Sequence, residues 1–435
     1  MSLLIKNVKT TKYLLGNSGE DFVSVNISLK DGIIDQVSEN EIQGDFKQTI
    51  DGLGYFLSPG LCDPQVHFRE PGLEYKEDIE SGSRAAAKGG FTTVISMPNT
   101  SPTADNPETV AFMWNKSREV GICRVFPTGA VTHGLKGETL PDYKAMKDAG
   151  AIALTDDGKG VQKDHVFLEA MKQASALKMA ILDHSEDEAL SLGGTIHKGA
   201  ISEKFDLKGI DSDSESSHVE RGCLLSAETG CHYHVLHIST IKSINFVREA
   251  KAKGLRVTAE VSPHHLLLCD EDIPLRSEND LNPNWKMNPP LRSKEDRAEC
   301  VKALLDGTID AVATDHAPHA PHEKDKHISD APFGIIGLET AFPLVYSNFV
   351  KTDKISLNRC IDLMSKQAAE LFGLEMGRLV PGTRADLALF DLDRSFEITP
   401  EFFASKSKNS PFIGQKLYGE TKLTVFEGNI VFDNL

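Results

Sequence analysis

Two rhythms of apolar and polar positions divide this chain. Residues 3–58 alternate at short range, over Leu3–Val8, Val23–Leu29, Gly32–Val37 and Thr49–Phe56. A period of two predicts strands, and Lys30-Asp-Gly32 predicts a hairpin turn. From Gly60 the rhythm changes. Short apolar runs, rich in β-branched residues, alternate with stretches whose apolar positions recur every three to four residues. The runs are Leu61–Phe68, Phe91–Met97, Cys123–Val131, Ala151–Thr155, Met179–Asp183, His232–His237, Arg256–Val261 and Asp310–Thr314. The helical stretches include Lys76–Ala87, Pro107–Val120, Asp164–Ala176, Ser216–Thr229, Ile241–Ala252 and Lys294–Asp306.

Eight such units predict an α/β fold, a parallel (β/α)8 barrel of the TIM type with its site at the C-terminal strand ends. A doubly wound open sheet is the alternative, but eight similar units in succession favour closure. Ser356–Phe372 reads as a further helix. Strand character returns at Arg384–Leu392 and Leu423–Phe432. Neither terminal segment is large enough to make a core alone, so they are expected to share one small β-sandwich. The expected layout is residues 1–58 and 376–435 as the two parts of that sandwich, around a barrel of residues 59–375.

Composition narrows the partners. The net charge of −17 argues against binding to nucleic acid or anionic lipid, while leaving room for a small anion held by local arginines. No apolar run approaches the ~20 residues of a membrane span. The N-terminus lacks a signal-peptide pattern, so the expected location is cytoplasmic. Seven cysteines are scattered without a Cys-x-x-Cys pair and read as reduced, buried thiols. Cys62 and Cys231 lie near metal-type motifs but are read as packing residues.

The chemistry collects where the barrel expectation puts it. In Leu61–Phe68 and the residue after it, Asp63, Gln65, His67 and Arg69 share one face, because alternate strand residues point the same way. That row suits a metal and an anionic substrate better than a core. Other strands end in Met97-Pro-Asn-Thr100, Thr155-Asp-Asp-Gly158, Asp183-His184-Ser-Glu186, His237-Ile-Ser-Thr240, Ser262-Pro-His-His265 and Thr314-Asp-His-Ala-Pro-His319. A lone histidine there is more often a packed or capping one. Histidines at three strand ends with an aspartate at a fourth suit zinc or a similar divalent ion. Such an ion lowers the pKa of bound water and polarises a carbonyl, which equips a site to hydrolyse an amide.

These motifs carry a resemblance. The chain resembles the dihydroorotases of the amidohydrolase superfamily, over essentially its whole length. The specific matches are His67-Phe-Arg-Glu-Pro-Gly72, Met97-Pro-Asn-Thr100, Thr155-Asp-Asp-Gly158, His237-Ile-Ser-Thr240, Lys286-Met-Asn-Pro-Pro-Leu-Arg292, Ala313-Thr-Asp-His-Ala-Pro-His319, Ala331-Pro-Phe-Gly334 and Gly377-x4-Gly382-x3-Asp386. The resemblance implies one or two zinc ions per subunit. His67 and Asp315 would hold one ion and His184 and His237 the second, with Asp157 bridging as in the aspartate-bridged branch of the family. Asp156 competes for that bridge. Arg69, Asn99 and His319 would hold a substrate carboxylate, and Asn288, Phe333 and Gly334 would contact the ring amide. Asp315 would also be the general base. The implied reaction is the reversible closure of N-carbamoyl-L-aspartate to L-dihydroorotate and water, a step of pyrimidine synthesis. By resemblance the expected assembly is a homodimer.

One position departs from the family. Its first-strand motif is His-x-His, and here it is Gln65-Val-His67. Glutamine offers a neutral amide oxygen, a weaker zinc donor than imidazole. Three outcomes stay open: a working two-ion site that tolerates Gln65, a single tightly held ion, or a non-catalytic relative that serves as a scaffold for a partner such as a transcarbamoylase. The intact remaining positions favour activity. A dihydropyrimidinase, hydantoinase or allantoinase is the rival enzyme reading. Those relatives typically use a carboxylated lysine and lack Arg69. Of the other histidines, His264 and His265 read as supporting residues, His232 and His234 as packing, and His316 is undecided. The polar run His316–Asp330 is expected to close over substrate.

Overall fold

The structure, a computed structural model, describes residues 2–435. Eight parallel strands carry the site: β1 (Leu61–Val66), β2 (Phe91–Ser96), β3 (Arg124–Pro127), β4 (Leu154–Thr155), β5 (Ala180–Asp183), β6 (His232–Val235), β7 (Val257–Val261) and β8 (Ala311–Val312). They form two arcs, ordered β1-β2-β3 and β4-β5-β6-β7-β8. Single parallel bridges, Gly129 to Leu154 and Val66 to His316, lie where the arcs meet. The expected strands are all present, but as two open sheets rather than one continuous ladder. Strands β4 and β8, two residues each, are too short to pair fully on both edges.

Local sequence explains the helices between them. Helix α1 (Ile79–Lys88) starts three residues later than expected because Asp78 caps it, accepting from the Ser81 amide. Its Gly82 lies so close to Phe68 that a Cβ there would meet the ring at 2.5 Å, which sets how deeply the helix packs. Helix α2 (Pro107–Val120) begins with Asn106 as cap and Pro107 at its first turn, and stops at left-handed Gly121. The remaining outer helices are α3 (Tyr143–Asp148), α4 (Asp164–Ala176), α5 (Asp213–Thr229), α6 (Ile241–Ala252) and α7 (Lys294–Asp306). The expected helix Ser356–Phe372 is broken into Leu357–Met364 and Lys366–Glu370. Ser365 leaves helical geometry at the break, and its hydroxyl donates to the Gly60 carbonyl at 2.8 Å.

The two ends of the chain meet in one eight-stranded sheet. Phe56–Pro59 pairs antiparallel with Leu387–Glu397, which joins the N-terminal strands to the C-terminal ones. Residues 398–415 leave this sheet and pack back against the cleft. All seven cysteines are free and buried, and neither Cys62 nor Cys231 joins a ligand cluster. Among the described residues, no helix is long and apolar enough to cross a membrane.

Candidate active site

The first expected strand ends at Val66, not Phe68. Beyond it the His67 amide donates to the His316 carbonyl at 2.8 Å. That places His67 beside Asp315, just past β8. Three residues of the site hold left-handed backbone: Arg69 (φ 56°), His237 (φ 34°) and Asp315 (φ 49°). For residues other than glycine, sparsely populated backbone of this kind costs about 1–3 kcal/mol each and persists where surrounding structure imposes it. Here it turns the side chains at strand ends into the cleft.

The cleft has a volume of about 330 Å³ and is lined by His67, Arg69, Asn99, Asp157, Gly158, His184, His237, Asn288, Asp315, Ala317, His319, Pro332, Phe333 and Gly334. Eleven of the twelve residues singled out from sequence line it, and the twelfth, Gln65, lies buried beneath. A larger cavity of about 750 Å³ touches Gly60, Thr93, Arg124 and Asp386 near the starts of β1 to β3, but it holds no ligand cluster. Chemistry rather than volume selects the site.

Two buried donor groups share Asp157. One is His67, Asp157 and Asp315; the other is Asp157, His184 and His237. The Nε2 atom of His67 lies 3.1 Å from Asp157 Oδ2 and 3.1 Å from Asp315 Oδ1. Asp157 Oδ1 lies 3.3 Å from His184 Nδ1 and 3.6 Å from His237 Nε2, and those two nitrogens are 3.1 Å apart. A tetrahedron with bonds of 2.0–2.1 Å has edges of about 3.3–3.4 Å, so these spacings fit ligands around a divalent ion.

Supporting contacts aim the donor atoms. His67 Nδ1 faces Asn99 Oδ1 at 2.9 Å, which leaves Nε2 as the lone-pair nitrogen toward the carboxylates. His184 Nε2 faces Glu186 Oε2 at 3.0 Å, which turns its Nδ1 lone pair inward, toward His237. Two imidazole lone pairs facing each other repel unless a proton or a cation lies between them. The donor set therefore fits a metal. The protonation balance agrees in direction. Burial alone would lower the His67 and His184 pKa values, but the carboxylates of Asp157, Asp315 and Glu186 lift them to about 9 and about 10. Asp157 is pushed up by burial and held well below its ordinary range by the three histidines.

The neighbours sort themselves by direction. Asp156 turns away, accepting from the Thr132 amide at 2.9 Å and from its hydroxyl. Burial raises its pKa to about 6. His316 is a spacer: the Gly337 amide donates to its Nδ1, and its Nε2 lies 3.5 Å from Glu77. His234 bonds Glu260 and Thr258 below the site, and His265 bonds the Pro289 carbonyl. His232 bonds Thr258, and His264 packs against the His265 ring.

Arg69 is buried, yet the hydrogen bond its guanidinium makes is from Nε to the Pro318 carbonyl at 3.4 Å. The residue lines the cleft, and among the described residues it forms no ion pair with a carboxylate. His319 also lines the cleft. Its Nε2 is taken by the Phe333 carbonyl at 2.7 Å, and its Nδ1 has no hydrogen-bond partner. Burial and the cations Arg69, Lys76 and Lys324 depress its pKa to about 2, so it is a neutral ring holding Phe333. Asn288 Nδ2 likewise donates to Glu186 at 2.7 Å. Gly334 has φ 130°, and a Cβ there would meet the Ala317 carbonyl oxygen at 2.8 Å, so only glycine fits.

Sequence reasoning missed the residues that fasten this wall. The Lys324 ammonium is buried and donates to the carbonyls of Lys286 (3.3 Å), Pro332 (3.0 Å) and Gly334 (3.1 Å). The Lys286 ammonium donates to the carbonyls of Ile328 and Ser329 at 2.8 and 3.0 Å. Asn409 donates to the carbonyls of Ala317 and Gly334 and accepts from the His319 amide. The segment expected to close over substrate is thus already docked, and it contains a short helix, Pro321–Lys324. Glu186 was also missed as the partner of His184, although it stands in the same strand-end motif.

Comparison with known proteins separates fold from chemistry. The fold is that of L-hydantoinase (dihydropyrimidinase) from Arthrobacter aurescens, with a TM-score of 0.85 at 26% identity over 99% of this chain and 96% of that one. The dihydropyrimidinase of Brevibacillus agri NCHU1002 matches with a TM-score of 0.84 at 22% identity, covering 100% and 95%. The sequence profile described as Dihydro-orotase-like matches residues 54–243. A dihydroorotase of Geobacillus kaustophilus (strain HTA426) is 50% identical over 418 residues, 96% of each chain. That of Brevibacillus brevis is 51% identical over 387 residues, covering 89% and 90%. With half of its residues shared along nearly the whole length, and with the ligand cluster in place, this chain belongs to the dihydroorotase family.

Proposed function

We propose that the cleft interconverts N-carbamoyl-L-aspartate and L-dihydroorotate, the ring-closing step of pyrimidine synthesis. The enzyme is a metal-dependent cyclic amidohydrolase. The observation that carries the reading is the pair of buried donor groups sharing Asp157, with the unpaired guanidinium of Arg69 on the same wall. Residues His67, Asp157 and Asp315 would hold one ion, and Asp157, His184 and His237 the other. The nitrogen and carboxylate donors suit zinc. When bound, such ions supply Lewis acidity and lower the pKa of water.

The chain's own groups do the rest. Arg69 offers a planar fork to the substrate carboxylate, which forms two parallel charge-assisted hydrogen bonds. Asn99 spends its oxygen on His67 and keeps its amide NH2 for the same carboxylate. Asp315 takes the proton of the attacking water as the new C–O bond forms at the ring amide carbon. It returns that proton to the ring nitrogen as the C–N bond breaks, and ring closure runs the same transfers backwards. His319, Asn288 and Gly334 set the wall against which the ring lies, with Phe333 as its apolar face.

The same reading extends to the scaffold. The bridges from Gly129 to Leu154 and from Val66 to His316 support one (β/α)8 barrel over residues 59–375, with residues 1–58 and 376–435 as a second, composite domain. A homodimer is carried over from the resemblance, and gel filtration tests it; the cytoplasmic location rests on the lack of a signal-peptide pattern, and a transcarbamoylase partner belongs to the non-catalytic alternative. The decisive assay is dihydroorotate hydrolysis by protein of known zinc content. Turnover should rise with bound zinc. Hydantoin or dihydrouracil as better substrates would overturn the assignment.

A further inference from the structure

We propose that Gln65 completes the first ion site as an oxygen ligand, and that this makes the two sites chemically unlike. The second is a zinc site. The first has a smaller margin for zinc over a harder ion such as Mn2+. The inference rests on the two-ion reading above and adds to it a ligand and a selectivity.

Gln65 is fully buried on β1, with its main-chain amide donating to Asp63 Oδ1 at 3.1 Å. Its head group lies 3.1 Å from Asp157 Oδ2, the oxygen that His67 Nε2 also approaches at 3.1 Å. The amide therefore belongs to the same polyhedron as the three ligands. Its NH2 now donates to Asp157, and its Oε1 has no hydrogen-bond partner. A buried carbonyl left unpaired costs about 1–3 kcal/mol. The two ends of the amide have nearly the same shape, so half a turn puts Oε1 where Nε2 now lies.

Each orientation has its own condition. With no cation present, an NH2 beside two buried carboxylates is the favourable end. With a cation among Asp157 Oδ2, Asp315 Oδ1 and His67 Nε2, the positive NH2 end faces a positive charge, and the turned amide offers an oxygen instead. The donor sets then differ. The first site has three oxygens and one nitrogen, from Gln65, Asp157, Asp315 and His67. The second has two nitrogens and one oxygen, from His184, His237 and Asp157. Imidazole suits zinc, while carboxylate and carbonyl oxygens suit Mn2+ and Mg2+. Zinc still binds any such site more tightly than Mn2+, so the donor set alters the ratio of affinities, not their order.

The test counts ions without reference to turnover. Metal-free full-length protein receives one equivalent of zinc and excess Mn2+. Bound metal is measured by elemental analysis after gel filtration, and bound Mn2+ by electron paramagnetic resonance. The expected result is one zinc and one Mn2+ per chain. Gln65→Leu should keep the zinc and bind Mn2+ at least about tenfold more weakly. Gln65→Glu, which keeps the oxygen and adds charge, should bind Mn2+ as tightly as wild type or more so, and it controls for folding. Gln65→His should raise the zinc-over-Mn2+ ratio of the first site by about tenfold or more. Unchanged Mn2+ binding in a folded Gln65→Leu variant, or an unchanged ratio in Gln65→His, overturns the inference and leaves the functional reading standing. Absence of dihydroorotate turnover with these ion counts intact does the reverse.

Discussion

The floor and the wall of the cleft are held in opposite ways. On the floor, charged ligands are aimed by other charged or polar side chains: His67 by Asn99 and His184 by Glu186. Three floor and rim residues sit on left-handed backbone at strand ends. On the wall, residues 316–334 are fastened by two buried lysines whose Nζ atoms bond backbone carbonyls, with Asn409 reaching in from the C-terminal segment. The floor carries charge that a reaction uses. The wall carries buried amines that hold shape, and burial lowers the pKa of Lys286 to about 8 and that of Lys324 to about 7. Substitutions on the floor should therefore act on kcat, and substitutions on the wall on KM and local dynamics.

The largest expected effect is on the floor. Asp315→Asn keeps the shape but removes the proton acceptor, and general acid–base groups contribute typically 10²–10⁴-fold. We expect kcat for dihydroorotate to fall by about 10³-fold with a KM within a few-fold of wild type. A kcat within tenfold of wild type would remove Asp315 from the proton transfers. Next comes Arg69, at the border between the two regions. Arg69→Met should raise KM by about 100-fold, because hydrogen bonds between charged groups contribute about 1.5–3 kcal/mol each. Steady-state kinetics with dihydroorotate and with its uncharged ring lacking the carboxylate would show the discrimination shrinking. Equal loss for both substrates would mean that Arg69 serves the fold instead.

On the wall, Lys324→Met leaves the carbonyls of Lys286, Pro332 and Gly334 without their shared donor. We expect KM to rise about tenfold while kcat stays within threefold. Amide hydrogen exchange over residues 316–334 should quicken. Unaltered exchange in that segment would show that Asn409 and Lys286 suffice, and would end the comparison as drawn.

The sequence exposed the floor and hid the wall for a physical reason. Histidine, aspartate and arginine at the ends of several strands have few bland explanations together, so the cluster was readable before any fold was known. Lys286 and Lys324 sit in polar runs that look like solvated surface. Nothing local says that their amino groups turn inward, Lys286 to carbonyls about 40 residues on and Lys324 to carbonyls both near and distant in the chain. Strand ends were misjudged for a similar reason. β1 ends at Val66, which itself makes a single bridge to His316, a contact 250 residues away. The helix break at Ser365 answers to the Gly60 carbonyl, again a distant partner. The expectation for His319 as a carboxylate donor came from resemblance, and only the placement of the Phe333 carbonyl shows that one ring nitrogen, Nε2, is engaged while Nδ1 is left.

The smallest expected effect tests the buttress behind the wall. Glu339 is buried and accepts from the Ala404 and Ser405 amides, so it anchors the segment that carries Asn409. Burial raises its pKa from 4.5 to about 7, against the pull of those amides and of Lys88. The folded protein thus binds this proton more tightly than the unfolded chain does. Between about pH 4.5 and 7 the unfolded state has lost the proton and the folded state retains it, so stability falls as pH rises through that window. Glu339→Gln fixes the neutral form. Its melting temperature should depend less on pH between 5 and 7.5 than that of the wild type, with the difference in favour of the variant growing toward pH 7.5. The ligand groups on the floor titrate in both proteins and cancel in this comparison. A variant whose melting curve shifts equally at both pH values would show that Glu339 is ionised throughout, held by the two amides and Lys88, and the buttress would then be an ion pair like those at the surface.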